Sequence, residues 1–151
     1  MPQATKQHLE AMAVADSLRP TLLRLARELR REKIGGVSPQ QVGLLVTIKY
    51  APGVTVGALA HEEHVSTAAM SKRISRLERD GLVARTKSDA DRRCTGLTLT
   101  DEGQRTLRRV RSRRTAWLAS RLSSLSPEEL AVVGAAAEPL ARLLELAEAR
   151  R

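Results

Sequence analysis

The stretch HVSTAAMSKRISRLERDGLVARTKSDADRRCTGLTLTD, His64 to Asp101, decides the fold. The Ser66 hydroxyl suits the N-cap of a helix from Thr67 to about Asp80, and Gly81 suits the left-handed position just past a helix end. Leu82 to Thr86 and Thr95 to Leu99 then read as two short antiparallel strands, with Lys87 to Cys94 as the loop between them. The pattern is a recognition helix followed by a β-wing.

Charge singles out the same region. Between Ser66 and Arg114 stand 14 Lys/Arg against 6 Asp/Glu, so about one third of the chain holds eight of its nine net positive charges. A surface of that sign favours a polyanionic partner, and at this level nucleic acid and an anionic membrane both qualify. Aromatic residues are scarce, with Trp117, Tyr50 and no Phe. Binders of single strands stack bases on aromatic side chains, so the composition points to duplex DNA.

Within the helix, Met70, Ile74 and Leu77 lie four and three apart and share the face that packs on the domain. Ala68, Ser71, Lys72, Ser75 and Arg79 fall on or near the opposite face, with Thr67 at its N-terminal end. Ser71 and Lys72 are placed to read base edges, whereas Arg73 and Arg76 lie towards the flanks and suit phosphates. In the wing, Lys87, Arg92 and Arg93 make a basic tip of the kind that enters a minor groove.

Upstream, the apolar residues Leu9, Met12, Leu18, Leu22, Leu25 and Leu29 predict one amphipathic helix over about Thr5 to Lys33, kinked at Pro20. Such a helix cannot bury its stripe alone and needs the rest of the domain or a second subunit. Gly35-Gly36 ends it. Ser38-Pro39 starts a second helix reaching Tyr50, with Val42, Leu45, Val46 and Ile48 as core candidates. After the turn Ala51-Pro52-Gly53, Thr55 caps a short third helix from Val56 to about Glu62, completing a helix-turn-helix.

Downstream, Thr100 caps a fifth helix running to about Ser123, with Asp101 and Glu102 complementing its positive end. Ser126-Pro127-Glu128-Glu129 is a capping box that opens a last helix reaching about Ala149. The arginines 108, 109, 111, 113 and 114 spread round the fifth helix, which suits solvation or pairing with the acidic last helix across a dimer better than DNA contact.

These features resemble the MarR (multiple antibiotic resistance regulator) family over nearly the whole chain. The most specific parts are LERDGLV at Leu77 to Val83, Asp91-Arg92-Arg93, and Leu99-Thr100-Asp101-Glu102-Gly103. The resemblance implies a mainly α fold with a small β-wing (α+β), a winged helix-turn-helix with N- and C-terminal dimerisation helices. It implies a homodimer binding palindromic DNA, usually as a repressor, and often released by a small-molecule effector. Residues 1–151 then form a single MarR-type domain, with 36–100 as its DNA-binding part and 5–33 and 101–149 as dimerisation helices. Carried over, Thr67, Ala68, Ser71 and Lys72 match groove-facing positions, and the short helix opening at Thr55 matches a phosphate-contacting start. Thr55 and Ser66, which open the two helices of the motif, are counted with the DNA-binding residues. Arg93 matches the wing arginine, and Asp91 the carboxylate that braces it. Effector pockets of relatives correspond to residues near Leu22 to Leu29, Val42 to Val46 and the fifth helix, which read here as generic core and point to no particular ligand. Oxidant-sensing relatives use a cysteine near the N-terminal helix, and this chain has none there.

The remaining signals read blandly. Two histidines and two carboxylates in His61-Glu62-Glu63-His64 lack the spacing of the zinc-protease helix, so a surface turn is favoured over a metal site. No nucleophile, base and orienting group assemble from spacing, so neither an enzyme nor a cofactor is expected. Cys94, the only cysteine, reads as a tolerated small side chain and excludes a disulfide framework. Trp117 reads as a packing anchor. No run of about 18 apolar residues or signal peptide is present, so the expected location is the cytoplasm, on the nucleoid when bound to DNA, with no membrane partner. The alternative function on the same charge is a sequence-indifferent architectural protein.

Overall fold

The computed structural model describes residues 2–31, 34–87 and 95–148. Six helices and a two-stranded sheet follow in the order α1 (Pro2–Arg30), α2 (Pro39–Tyr50), α3 (Val56–Glu62), α4 (Thr67–Arg79), β1 (Val83–Lys87), β2 (Thr95–Leu99), α5 (Asp101–Leu122) and α6 (Pro127–Glu148). The chain divides into two compact units, residues 1–113 and 114–151. The mainly α winged-helix class expected from sequence is the one observed.

In the first unit, α1 stays helical through Pro20, whose exposed position lets water take up the hydrogen bond that proline removes. Most of its apolar stripe, including Leu9, Met12, Leu22 and Leu25, is exposed in the single chain. The helix ends at Arg30 rather than near Lys33. At α2 the capping box is complete: the Gln41 N–H donates to Ser38 Oγ (3.2 Å) and the Ser38 N–H to Gln41 Oε1 (2.8 Å), with Pro39 in the first turn. Val42, Leu45 and Ile48 are buried as expected, but Val46 is 39% exposed and Leu44 takes its place at 4%. At about 100° per residue, Leu44, Ile48, Leu45 and Val42 span one arc, and Val46 falls about 40° beyond Val42.

The core joins α2 to Leu59 and Ala60 of α3, Met70, Ile74 and Leu77 of α4, Val83, Leu97 and Val110 of α5. Each fully buried aliphatic side chain stabilises the fold by roughly 1.5–3 kcal/mol. Strand β2 lies between β1 and the turn after α2. It pairs antiparallel with β1 in the register Val83↔Leu99, Arg85↔Leu97, Lys87↔Thr95. On its other edge the Gly53 N–H donates to the Leu97 carbonyl (2.8 Å) and the Leu97 N–H to that of Val54 (2.9 Å). Gly96 is required there, because a Cβ would stand 2.8 Å from Gly53 Cα.

The first strand begins at Val83, one residue later than its sequence suggests, because Leu82 is engaged in ending α4. Gly81, at φ 71°, donates to the Glu78 carbonyl and Leu82 to that of Leu77, both at 2.9 Å. This is a Schellman cap closed by the apolar pair Leu77 and Leu82, both buried. The Thr100 hydroxyl donates to the Gly81 carbonyl (2.6 Å) and accepts from the Gly103 N–H (3.0 Å), while the Thr100 N–H donates to the Leu82 carbonyl (3.1 Å). The start of α5 is thus tied to the end of α4. Gly103 lies so close that a Cβ would overlap the Leu82 carbonyl oxygen.

In the second unit, the Arg121 guanidinium stacks 3.7 Å from the Trp117 ring centroid, so Trp117 packs within its own helix. The Glu129 N–H donates to Ser126 Oγ (3.2 Å) and the Ser126 N–H to Glu129 Oε2 (2.9 Å), completing the capping box that starts α6. Leu130, Val132, Val133, Leu143 and Leu144 are exposed on α6. Among the described residues no helix is long and apolar enough to cross a membrane.

Two outcomes follow from the start of α5. Gly103→Ala improves helix propensity by about 1 kcal/mol, yet it is expected to destabilise by about 2–3 kcal/mol through overlap with Leu82, read in urea unfolding. Glu102 accepts hydrogen bonds from Arg109 Nη2 (2.7 Å) and Arg105 Nε (2.9 Å), which hold its carboxyl below the ordinary glutamate range, Arg109 contributing most. A depressed folded-state value means stability that is full above the unfolded-state value and lost as pH falls through the folded one. Glu102→Gln is therefore expected to flatten the acid side of the stability profile, with little change near neutral pH.

Candidate nucleic-acid interface

Two consecutive helix ends set the geometry of the reading head. Thr55 caps α3, its Oγ1 accepting from the Ala58 N–H (3.1 Å). At the other end His64 adopts φ 52°, the His64 N–H donating to the His61 carbonyl (3.2 Å) and the Val65 N–H to that of Ala60 (3.0 Å). His64 thus fills the left-handed position usually given to glycine, which assigns the HEEH segment to an exposed turn. Ser66 starts α4 at once, its Oγ accepting from the Ala69 N–H (3.1 Å). The hydroxyls of Thr55 and Ser66 therefore act first as caps that fix the two helix starts.

On α4 the inner stripe Met70, Ile74 and Leu77 is fully buried, which fixes the rotation of the helix about its axis. Thr67, Ala68, Lys72, Arg76 and Arg79 are exposed as a consequence, while Ser71, Arg73 and Ser75 are half-buried along the flanks. Ala68 leaves the first turn low enough for close approach of a groove. Lys72 stands at the centre of the exposed face, about 200° from Met70. Ser71 sits nearer the edge, about 100° away.

Arg73 and Arg76 face the start of α2, where they line a recess of about 230 Å³ with Gly36, Ser38, Gln40, Gln41 and Leu44. The recess combines two guanidinium groups with the N-terminal end of a 12-residue helix, so its field favours an anion. Lys72, Arg73, Arg76 and Arg79 have no acidic partner within 4.0 Å among the described residues. Lys72 and Arg79 are exposed to solvent and Arg73 and Arg76 line the recess, whereas Arg105 and Arg109 on α5 are both engaged by Glu102.

Lys87 is exposed at the end of β1, paired in register with Thr95, rather than in the loop. Asp91, Arg92, Arg93 and Cys94 lie outside the described residues. The structure therefore brings Thr67, Ala68, Lys72 and Arg76 onto one exposed surface, with Ser71 and Arg73 on its edges. Arg79, which the sequence pattern puts on the same outer face without a DNA-contact role, is exposed there too. One feature escaped the sequence. The Ser38–Gln41 side of the recess had no signal beyond its capping pattern, because only the packing of α2 on α4 brings it beside Arg73.

Comparisons with known proteins fit this geometry. The MarR family model matches residues 37–95, which run from just before α2 to the first residue of β2. The HTH-type transcriptional repressor MdtR of Bacillus subtilis is 36% identical over 113 residues, covering 75% of this chain and 71% of its own. The crystal structure of a putative transcriptional regulator from Pseudomonas aeruginosa superposes with a TM-score of 0.74 at 31% identity, covering 90% of this chain and 96% of that one. The structure of Streptococcus pneumoniae FabT in complex with DNA has a TM-score of 0.52 at 26% identity, covering 96% of this chain and 98% of that one. With a capped α3–α4 pair, a hairpin wing and these relatives, the chain belongs to the MarR family of winged helix-turn-helix, DNA-binding transcriptional regulators, which are not enzymes.

Proposed function

We propose that this regulator acts as a homodimer on a pseudo-palindromic duplex operator, and that it represses. The observation that carries the reading is the set of cations on α4 that have no acidic partner among the described residues, on a helix whose opposite stripe is fully buried. Thr67, Ala68, Ser71 and Lys72 face base edges in the major groove. Arg73 and Arg76, with the start of α2, take a backbone phosphate in their recess, and the backbone amides opened by Thr55 and Ser66 contact others. Lys87, Arg92 and Arg93 serve the minor groove beside the wing, with Asp91 bracing Arg93. The DNA complex of FabT and the repressor name of MdtR support this reading by kinship.

Dimerisation uses residues 5–33 and 101–149, while 36–100 read DNA. The support is the row of apolar side chains that the single chain leaves exposed on α1 and α6, too large a set to stay in water on both. Two recognition helices then lie about one helical turn of duplex apart, roughly 34 Å. The protein works in the cytoplasm, on the nucleoid when bound to DNA.

The test is equilibrium binding to a duplex selected by the protein from a random-sequence pool, set against a shuffled duplex. Affinity for the selected duplex is expected to exceed the other by about 10³ or more and to fall by about 10³ between roughly 50 and 200 mM salt. Lys72→Ala is expected to cost about tenfold or more on the selected duplex alone, whereas Arg76→Ala weakens both and lowers the salt slope by about one. Equal affinity for both duplexes points to the architectural reading, and indifference to salt rejects phosphate docking altogether. In sedimentation, the free protein is expected at twice its 16.5 kDa chain mass.

A further inference from the structure

The charged pair between α4 and β1 lies outside the surface just described. Arg85 Nε donates to both carboxylate oxygens of Glu78, at 2.9 and 3.0 Å. The side chains are 35% and 29% exposed, more sheltered than those of any other ion pair among the described residues. Such a pair still contributes little to global stability, so its consequence is geometric.

Strand register explains how Arg85 reaches Glu78. Arg85 lies opposite Leu97, which is fully buried, and two residues beyond Val83, also buried, so all three belong to the inner face of the hairpin. A charge pointing inward from an edge strand needs a partner, and Glu78, on the last turn of α4, supplies it. The base of the hairpin is fixed at Gly81–Val83 by the cap of α4 and by Thr100. Further out, β2 is held at Leu97 by Gly53 and Val54, so the strand with a free edge is β1. About 7 Å beyond Val83, the Arg85 pair ties that outer strand directly to the last turn of the recognition helix.

We propose that Glu78 and Arg85 are positioning residues: their pair sets the angle between the recognition helix and the wing, and with it the ability to engage adjacent major and minor grooves together. Neither group touches DNA in this arrangement. The inference rests on the regulator reading above. It predicts that specificity, rather than raw affinity, depends on the pair, because phosphate contacts by α4 survive a tilted wing while simultaneous engagement of both grooves does not.

The experiment compares wild type, Glu78→Gln, Arg85→Gln and the double variant, on the duplex selected by the wild-type protein and on its shuffled counterpart. Thermal melts identify the folded fraction, and binding is expressed per active molecule. Each single variant is expected to lower the selected-to-shuffled affinity ratio by about tenfold, and the double by no more than either single, the mark of one shared interaction. Hydroxyl-radical protection of the minor groove flanking the recognition site is expected to fade, with protection at the recognition helix retained. The salt slope of Arg85→Gln is expected to match wild type.

Three outcomes overturn the brace while leaving the regulator reading intact: an unchanged ratio in Glu78→Gln, additive losses in the double variant, or a salt slope lower by about one in Arg85→Gln, which marks a direct phosphate contact. Tighter binding of the selected duplex by Glu78→Gln, from a released guanidinium, does the same. A wild type that fails to discriminate the two duplexes instead overturns the regulator reading, and the brace with it.

Discussion

The structure depends on the contact between the end of α4 and the start of α5. Thr100 stands between them, donating to Gly81 and accepting from Gly103, while Gly103 presses against the Leu82 carbonyl. This junction fixes the last turn of the recognition helix, the base of the wing and the direction of α5 at one point. Glycine is required on both sides for different reasons. At Gly81 the backbone must turn left-handed, and at Gly103 there is no room for a side chain.

From that junction the electrostatics follow. A buried inner stripe leaves α4 only one rotation, and that rotation turns Lys72, Arg76 and Arg79 towards water, with no carboxylate within 4.0 Å among the described residues. On α5 the same residue type behaves differently, because Glu102 lies one turn before Arg105 and two before Arg109 and holds both. The distinction between a cation that binds and one that is already bound thus lies in the placement of two acidic residues. Glu102 quiets the start of α5, and Glu78 engages Arg85 instead of the arginines on its own helix.

Much of this was legible in the sequence because it is local. Caps at Ser38, Thr55, Ser66, Thr100 and Ser126 were all written within three or four residues, and the stripe Met70, Ile74, Leu77 fixed the helix face. What needed three dimensions was less visible. The exchange of Val46 for Leu44 depends on how wide an arc of α2 the neighbouring elements cover. Leu82 has the composition of a strand but is claimed by the cap of α4. The pairing of β2 with Gly53 and Val54, and the recess that joins Ser38 to Arg73, link residues that no periodicity connects. For the same reason the pair Glu78 and Arg85, seven residues apart across a turn, reads in sequence as two ordinary surface charges.

The central claim is that this basic head reads sequence rather than charge alone. The most direct measurement is recovery of fragmented genomic DNA from the source organism by the purified protein at moderate salt, followed by sequencing of what remains bound. The account predicts a small set of fragments sharing one pseudo-palindrome with half-sites about one helical turn apart. Uniform recovery of all fragments would contradict it, leaving the outward cations of α4 as phosphate contacts and nothing more.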